Sequence, residues 1–133
     1  MNRPVKTVLV VEDDPILRRA LLSGLGSHGY RVFATGSPDI AYGMLADEEI
    51  DAILLDVRLP TMSGLAFHLA AVHRWPHLSD RIALMTGNPE ADDVRAWQRK
   101  NGGALFAKPF SSETVTRWLS GLLLVEPTGE NQG

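Results

Sequence analysis

Five polar residues stand where apolar runs of this chain stop. Val8 to Val11 leads into Glu12 and Asp13, Ile50 to Leu55 into Asp56, Ile82 to Met85 into Thr86, and Ala104 to Ala107 into Lys108. If those runs are parallel strands, their polar ends share one edge of a sheet, which is where ligands bind in open α/β folds. Carboxylates crowded together repel unless a proton or a cation relieves them. Lys108 supplies one positive charge, and a divalent ion would supply the rest. Oxygen-only ligands suit a hard cation, and Mg²⁺ in particular binds through one or two carboxylates plus water and phosphate oxygens. A carboxylate can also attack phosphorus to form an aspartyl phosphate. Asp56, ending the most apolar central run, is the candidate nucleophile. Phosphoryl transfer is catalysed mainly by positioning and charge, and Mg²⁺, the Thr86 hydroxyl and the Lys108 ammonium are fitting partners for the phosphoryl oxygens.

The elements that must carry these residues alternate along the chain. Strands are predicted over Val8 to Val11, Arg31 to Thr35, Ile50 to Asp56, Ile82 to Thr86 and Ala104 to Ala107. Helices are predicted from Pro15, with Asp14 as N-cap, and from Ser37-Pro38 to about Leu45. Further helices run over Gly64 to Trp75, after Gly87-Asn88-Pro89 to roughly Lys100, and after Ser111 or Ser112. Helical spacing puts Ile16, Leu17, Ala20, Leu21 and Leu25 on one face of the first helix, and Leu65, Leu69 and Val72 on one face of the third. Strands alternating with helices argue for βαβ units and a parallel sheet covered on both faces. This is an α/β, doubly wound, three-layer (βα)₅ domain.

At 133 residues the chain suits one domain with a proper core. Residues 1–125 are expected to form it, with 126–133 a polar tail or linker rich in Pro and Gly. A net charge of −3 gives no reason to expect direct nucleic-acid binding. The absence of cysteine excludes disulfides, thiolate catalysis and cysteine-ligated zinc. The apolar run before Glu12 is too short for a signal peptide or a membrane span, so a cytoplasmic location without membrane insertion is expected.

The ordered set of motifs resembles the receiver domain of two-component response regulators, from about Lys6 to Leu123. Leu9 to Pro15 resembles the family's acidic first loop, and Leu55 to Gly64 its phosphoacceptor motif and loop. Met85-Thr86-Gly87 resembles the switch hydroxyl followed by a small residue, and Lys108-Pro109-Phe110 the lysine-proline signature. The resemblance implies a flavodoxin-like sheet in the order 2-1-3-4-5. It implies that Asp56 accepts phosphate from a sensor histidine kinase or phosphotransfer protein. It also implies that Glu12, Asp13, Asp56 and the Arg58 backbone carbonyl hold Mg²⁺, with Thr86 and Lys108 meeting the phosphoryl group. A cis Lys108–Pro109 bond is implied as well. Such a domain catalyses only its own phosphorylation and dephosphorylation, and is otherwise no enzyme. It passes the signal to a downstream protein through the face of helix four, strand five and helix five, as a monomer or weak dimer.

Other residues have plainer readings. Asp14 is better explained as a helix cap than as a ligand, and the Arg58 side chain as solvent-facing. His28, His68, His73 and His77 lack metal-ligand spacing and are expected on the surface. Trp75, Trp97 and Trp118 are expected to pack, with Trp118 also suited to a partner face. Many receivers hold Phe or Tyr three residues before the lysine, where this chain has Leu105; Phe106 should face the other side of the sheet. Signalling is therefore expected to run through the loop after Thr86 and helix four, where Trp97 sits. The alternative function is a receiver-like scaffold that binds partners without phosphorylation. A phosphatase resembling the haloacid dehalogenases is more distant, because Arg58 occupies the place of their second acid.

Overall fold

A computed structural model describes residues 5–123, so the tail expected at 126–133 lies outside the described residues. The strands are β1 (Thr7–Val11), β2 (Arg31–Thr35), β3 (Ala52–Asp56), β4 (Ile82–Thr86) and β5 (Ala104–Ala107). The helices are α1 (Pro15–Ser27), α2 (Pro38–Asp47), α3 (Gly64–Arg74), α4 (Asp92–Asn101) and α5 (Ser112–Leu123), with one 3-10 turn at Pro76–Leu78. All strand pairs are parallel, in the order β2-β1-β3-β4-β5. The doubly wound fold expected from the sequence is the fold observed.

The central strands β1, β3 and β4 are buried along their whole length, as strands covered on both faces must be. Alternation divides their side chains between two cores. Leu9, Val11, Ile53, Leu55 and Leu84 pack with Phe67, Ala71, Val94 and Trp97 of α3 and α4. Val8, Val10, Leu54, Ala83 and Met85 pack with Leu21 and Leu25 of α1 and Val115 and Leu119 of α5. With both faces filled, the strand ends are the places left for polar groups.

The helix starts follow the cap-and-proline logic of the sequence. Asp14 accepts from the Ile16 N–H at 2.9 Å and Ser37 from the Ile40 N–H at 3.2 Å. Ser111, rather than Ser112, caps α5 by accepting from the Thr114 N–H at 3.3 Å. The Lys108–Pro109 bond is cis, as the resemblance implied.

Three expectations need correction. The third strand begins at Ala52, not Ile50. Asp51 leaves the ladder because its carboxylate accepts from the Thr7 N–H at 2.8 Å while its own N–H donates to the Thr7 carbonyl at 2.8 Å. On α3 the buried stripe is Phe67, His68 and Ala71, whereas Leu69 is 70% exposed. Two apolar stripes compete on that helix, and the one carrying the larger Phe67 ring turns inward. Leu65 and Val72 flank it, partly buried. Ile16 is likewise exposed, being in the first turn of α1, while Leu21 and Leu25 further along reach the core.

Candidate functional site at the carboxyl edge of the sheet

The polar residues ending β1, β3, β4 and β5 do share an edge. Glu12 follows β1 and is 1% exposed; Asp56 closes β3 and is 5% exposed. The Lys108 ammonium reaches across from the end of β5, 2.8 Å from Glu12 Oε1 and 3.4 Å from Asp56 Oδ1. A nearly dry carboxylate pair is thus bridged by one cation, the arrangement that buried charge requires.

Backbone groups finish the binding of these acids. The Asp14 N–H donates to Glu12 Oε2 at 3.0 Å, and the Arg58 N–H donates to Asp56 Oδ1 at 3.2 Å. Thr86 is buried at the end of β4 and accepts from the Asn88 N–H at 3.0 Å. Its carbonyl accepts from the Lys108 N–H at 2.7 Å, tying the hydroxyl-bearing and ammonium-bearing strand ends together.

The loop after Asp56 folds back on its own start. Gly64 N–H donates to the Val57 carbonyl at 2.7 Å, and Arg58 pairs with Ser63 across the loop. A Cβ at Gly64 would overlap the Asp56 carbonyl. Glycine is therefore the residue that lets α3 begin directly beside the acid.

Charge and burial shape the titration of the cluster. Desolvation pushes the Glu12 carboxyl above its ordinary value, opposed by Lys108 and the Asp14 N–H and reinforced by the Asp56 charge. Burial alone would lower the Lys108 ammonium, but the hydrogen bonds and charges of Glu12 and Asp56 outweigh it and hold the group above its ordinary value. The two acids are held together at an electrostatic cost that Lys108 relieves only in part.

Asp13 stands differently. It is exposed, and among the described residues no three Asp, Glu or His side chains converge as a ready-made metal cage. The donors at this edge are nonetheless all oxygens, around a buried carboxylate that resists ionisation. That set fits a hard divalent cation using one or two carboxylates, a carbonyl and water. The Arg58 side chain is exposed, as expected.

Several residues escaped the sequence reading. His68 is 5% exposed rather than on the surface, its ring set edge-on to Trp97 with centroids 5.2 Å apart. It faces inward because it shares the stripe of Phe67 and Ala71. Arg18 donates through Nη1 to the Glu12 carbonyl at 2.9 Å and the Asp13 carbonyl at 3.2 Å. Nothing in the sequence separates Arg18 from its neighbour Arg19 except helical phase relative to the acidic loop. Leu105 and Phe106 fall as expected, on opposite cores, and Phe106 packs against Phe110 and Trp118.

Known proteins share both sequence and fold with this chain. The probable transcriptional regulatory protein TcrX of Mycobacterium tuberculosis is 33% identical over 122 residues, covering 92% of this chain and 51% of TcrX. The chain therefore spans about half the length of that curated relative, and a smaller share of others. A receiver domain protein of Methanospirillum hungatei superposes with a TM-score of 0.80 at 20% identity, covering 89% of this chain and 93% of that one. The response regulator TrrA of Thermotoga maritima, solved in complex with Mg²⁺-BeF, gives a TM-score of 0.75 at 22% identity, covering 89% and 99%. Residues 8–119 match the family described as the response regulator receiver domain. With strand order, polar edge and family match in agreement, this chain belongs to the response regulator receiver domains of two-component signalling.

Proposed function

We propose that Asp56 is the phosphoacceptor of this receiver, and that its phosphorylation changes the affinity of the domain for a protein partner. The observation that carries the reading is the buried Asp56 carboxylate at the carboxyl edge, 3.4 Å from the Lys108 ammonium that also holds Glu12. A carboxylate oxygen of Asp56 attacks phosphorus of a phosphohistidine on a sensor kinase or phosphotransfer protein. The P–O bond forms, the P–N bond breaks, and its electron pair returns to the imidazole. Lys108, released in part from Asp56, meets a phosphoryl oxygen, and the Thr86 hydroxyl exchanges its bond from the Asn88 N–H for another. Later attack by water on phosphorus restores the carboxylate and frees inorganic phosphate. Beyond this self-directed chemistry the domain is no enzyme.

Glu12, Asp13, Asp56 and the Arg58 carbonyl would hold Mg²⁺, which when bound neutralises charge on the phosphoryl oxygens. The signal leaves through the loop after Thr86 and through α4, toward the face formed by α4, β5 and α5. Leu105 replaces an aromatic ring there, so the exit depends on α4 rather than on a ring rotating in β5. Among the described residues no helix is long and apolar enough to cross a membrane, and a cytoplasmic site of action belongs to the same proposal.

The test is direct. Incubation with acetyl phosphate and Mg²⁺ should add one phosphoryl mass, and Asp56→Asn should abolish it. No adduct on the wild-type chain, together with no Mg²⁺ binding, would favour a scaffold that binds partners without phosphorylation.

A further inference from the structure

The acidic loop is held from behind by a cation that touches none of its three carboxylates. Arg18, one turn into α1, donates from a single nitrogen to two successive carbonyls, Glu12 at 2.9 Å and Asp13 at 3.2 Å. Those carbonyls belong to the peptide planes on either side of Asp13. Pinning both planes fixes φ and ψ of Asp13, and with them the direction of its Cα–Cβ bond. Asp13 needs such a device because its carboxylate is exposed, whereas Glu12 is already tied by Lys108 and the Asp14 N–H.

The β2–α2 turn is shaped around the same contact. A Cβ on Gly36 would stand 2.9 Å from Arg18 Nη1, 3.3 Å from the Glu12 carbonyl oxygen and 3.4 Å from Asp13 Cα. Glu12 is tied to that turn a second way, its N–H donating to the Thr35 carbonyl at 3.0 Å. Arg18 lies within ion-pair distance of no carboxylate among the described residues. Its Nη1 is engaged by the two carbonyls and not by the Asp13 carboxylate, which stays open to a metal.

From this geometry we infer that Arg18 is a positioning residue, which with Gly36 presets the Asp13 carboxylate for a divalent cation. The inference rests on the reading of this edge as a Mg²⁺ and phosphoryl site. Residues that orient metal ligands typically change affinity by about 10- to 100-fold when removed. Arg18→Ala should therefore weaken Mg²⁺ binding to the full chain about tenfold by calorimetry, while far-ultraviolet circular dichroism stays native. Without any metal, ¹⁵N relaxation should show the Asp13 and Asp14 amides becoming more mobile. Arg18→Lys, one bond shorter but still a donor, should recover part of the affinity.

Gly36→Ala should reproduce the loss by displacing the guanidinium. In the Arg18→Ala background it should cost much less, because the methyl then meets no Nη1, and the pair should be non-additive. Unchanged Mg²⁺ affinity and unchanged Asp13 mobility in Arg18→Ala would overturn the inference, as would strict additivity with Gly36→Ala. A wild-type chain that binds no Mg²⁺ would instead overturn the reading of the whole edge.

Discussion

Two regions among the described residues bury polar side chains in opposite ways. At the carboxyl edge, Glu12 and Asp56 are each met by Lys108 and by a backbone N–H. At the α3–α4 contact, His68 Nε2 and Trp97 Nε1 are buried with no hydrogen-bond partner among the described residues. The first region is a set of charges whose balance is incomplete, so a cation or a phosphoryl group can change it. The second uses two nitrogen-bearing rings as neutral shapes that fix α4 against α3. A switch needs both: a site whose electrostatics respond, and an element whose position is definite enough for the response to be read.

Removing the cation tests the first region and has the largest expected effect on stability. Lys108→Met leaves two buried carboxylates without a counter-charge, which should cost about 3 kcal/mol at pH 8. That figure is at the low end for broken buried pairs because Lys108 keeps some contact with water. The cost should shrink toward pH 5. Glu12 already sits above its ordinary value, so a folded-state proton is gained as pH falls and lost as pH rises. Urea midpoints at the two pH values measure this directly. An equal loss at both would show that packing of the lysine stem, not charge, is what was removed.

The second region answers to shape instead. A Cβ on Gly103 would overlap the far edge of the Trp97 indole. Gly103→Ala should therefore cost about 2 kcal/mol by overpacking, nearly independent of pH between 7 and 8. It should also shift the Trp97 indole N–H resonance. A small loss with that resonance unmoved would mean that Trp97 does not hold α4 in place.

The contrast also explains what could be read from the sequence. The carboxyl edge was legible because parallel topology turns strand-end positions into neighbours: Glu12, Asp56, Thr86 and Lys108 end four strands that stand side by side as β1-β3-β4-β5. The caps at Asp14 and Ser37 were legible because capping is local. The α3–α4 contact was not. Whether Phe67 or Leu69 turns inward depends on the space between sheet and helix, and His68 follows Phe67 into the core without any local mark of its own. The Arg18 contact was hidden for a similar reason. It depends on a turn at Gly36, far along the chain, leaving room for a guanidinium.

His68 gives the smallest expected effect and the cleanest separation of the two regions. Burial holds its imidazole below the ordinary histidine value of 6.5, so the folded state keeps it neutral. Stability from this group is then fully present above that ordinary value. It is lost as pH falls through the folded value, because only the unfolded chain takes up the proton. The loss should amount to roughly 1 kcal/mol for each pH unit in which the two states differ. His68→Leu, which keeps an apolar contact with Trp97, should remove this dependence while leaving the Lys108 and Glu12 dependence intact. The Lys108→Met variant should show the reverse: a cost relative to wild type that falls on acidification. If His68→Leu left the acid-side decline of the wild type unchanged, the imidazole would take up its proton as readily in the fold as in the unfolded chain. The α3–α4 contact would then be a second charged site, and the contrast with the carboxyl edge would fail.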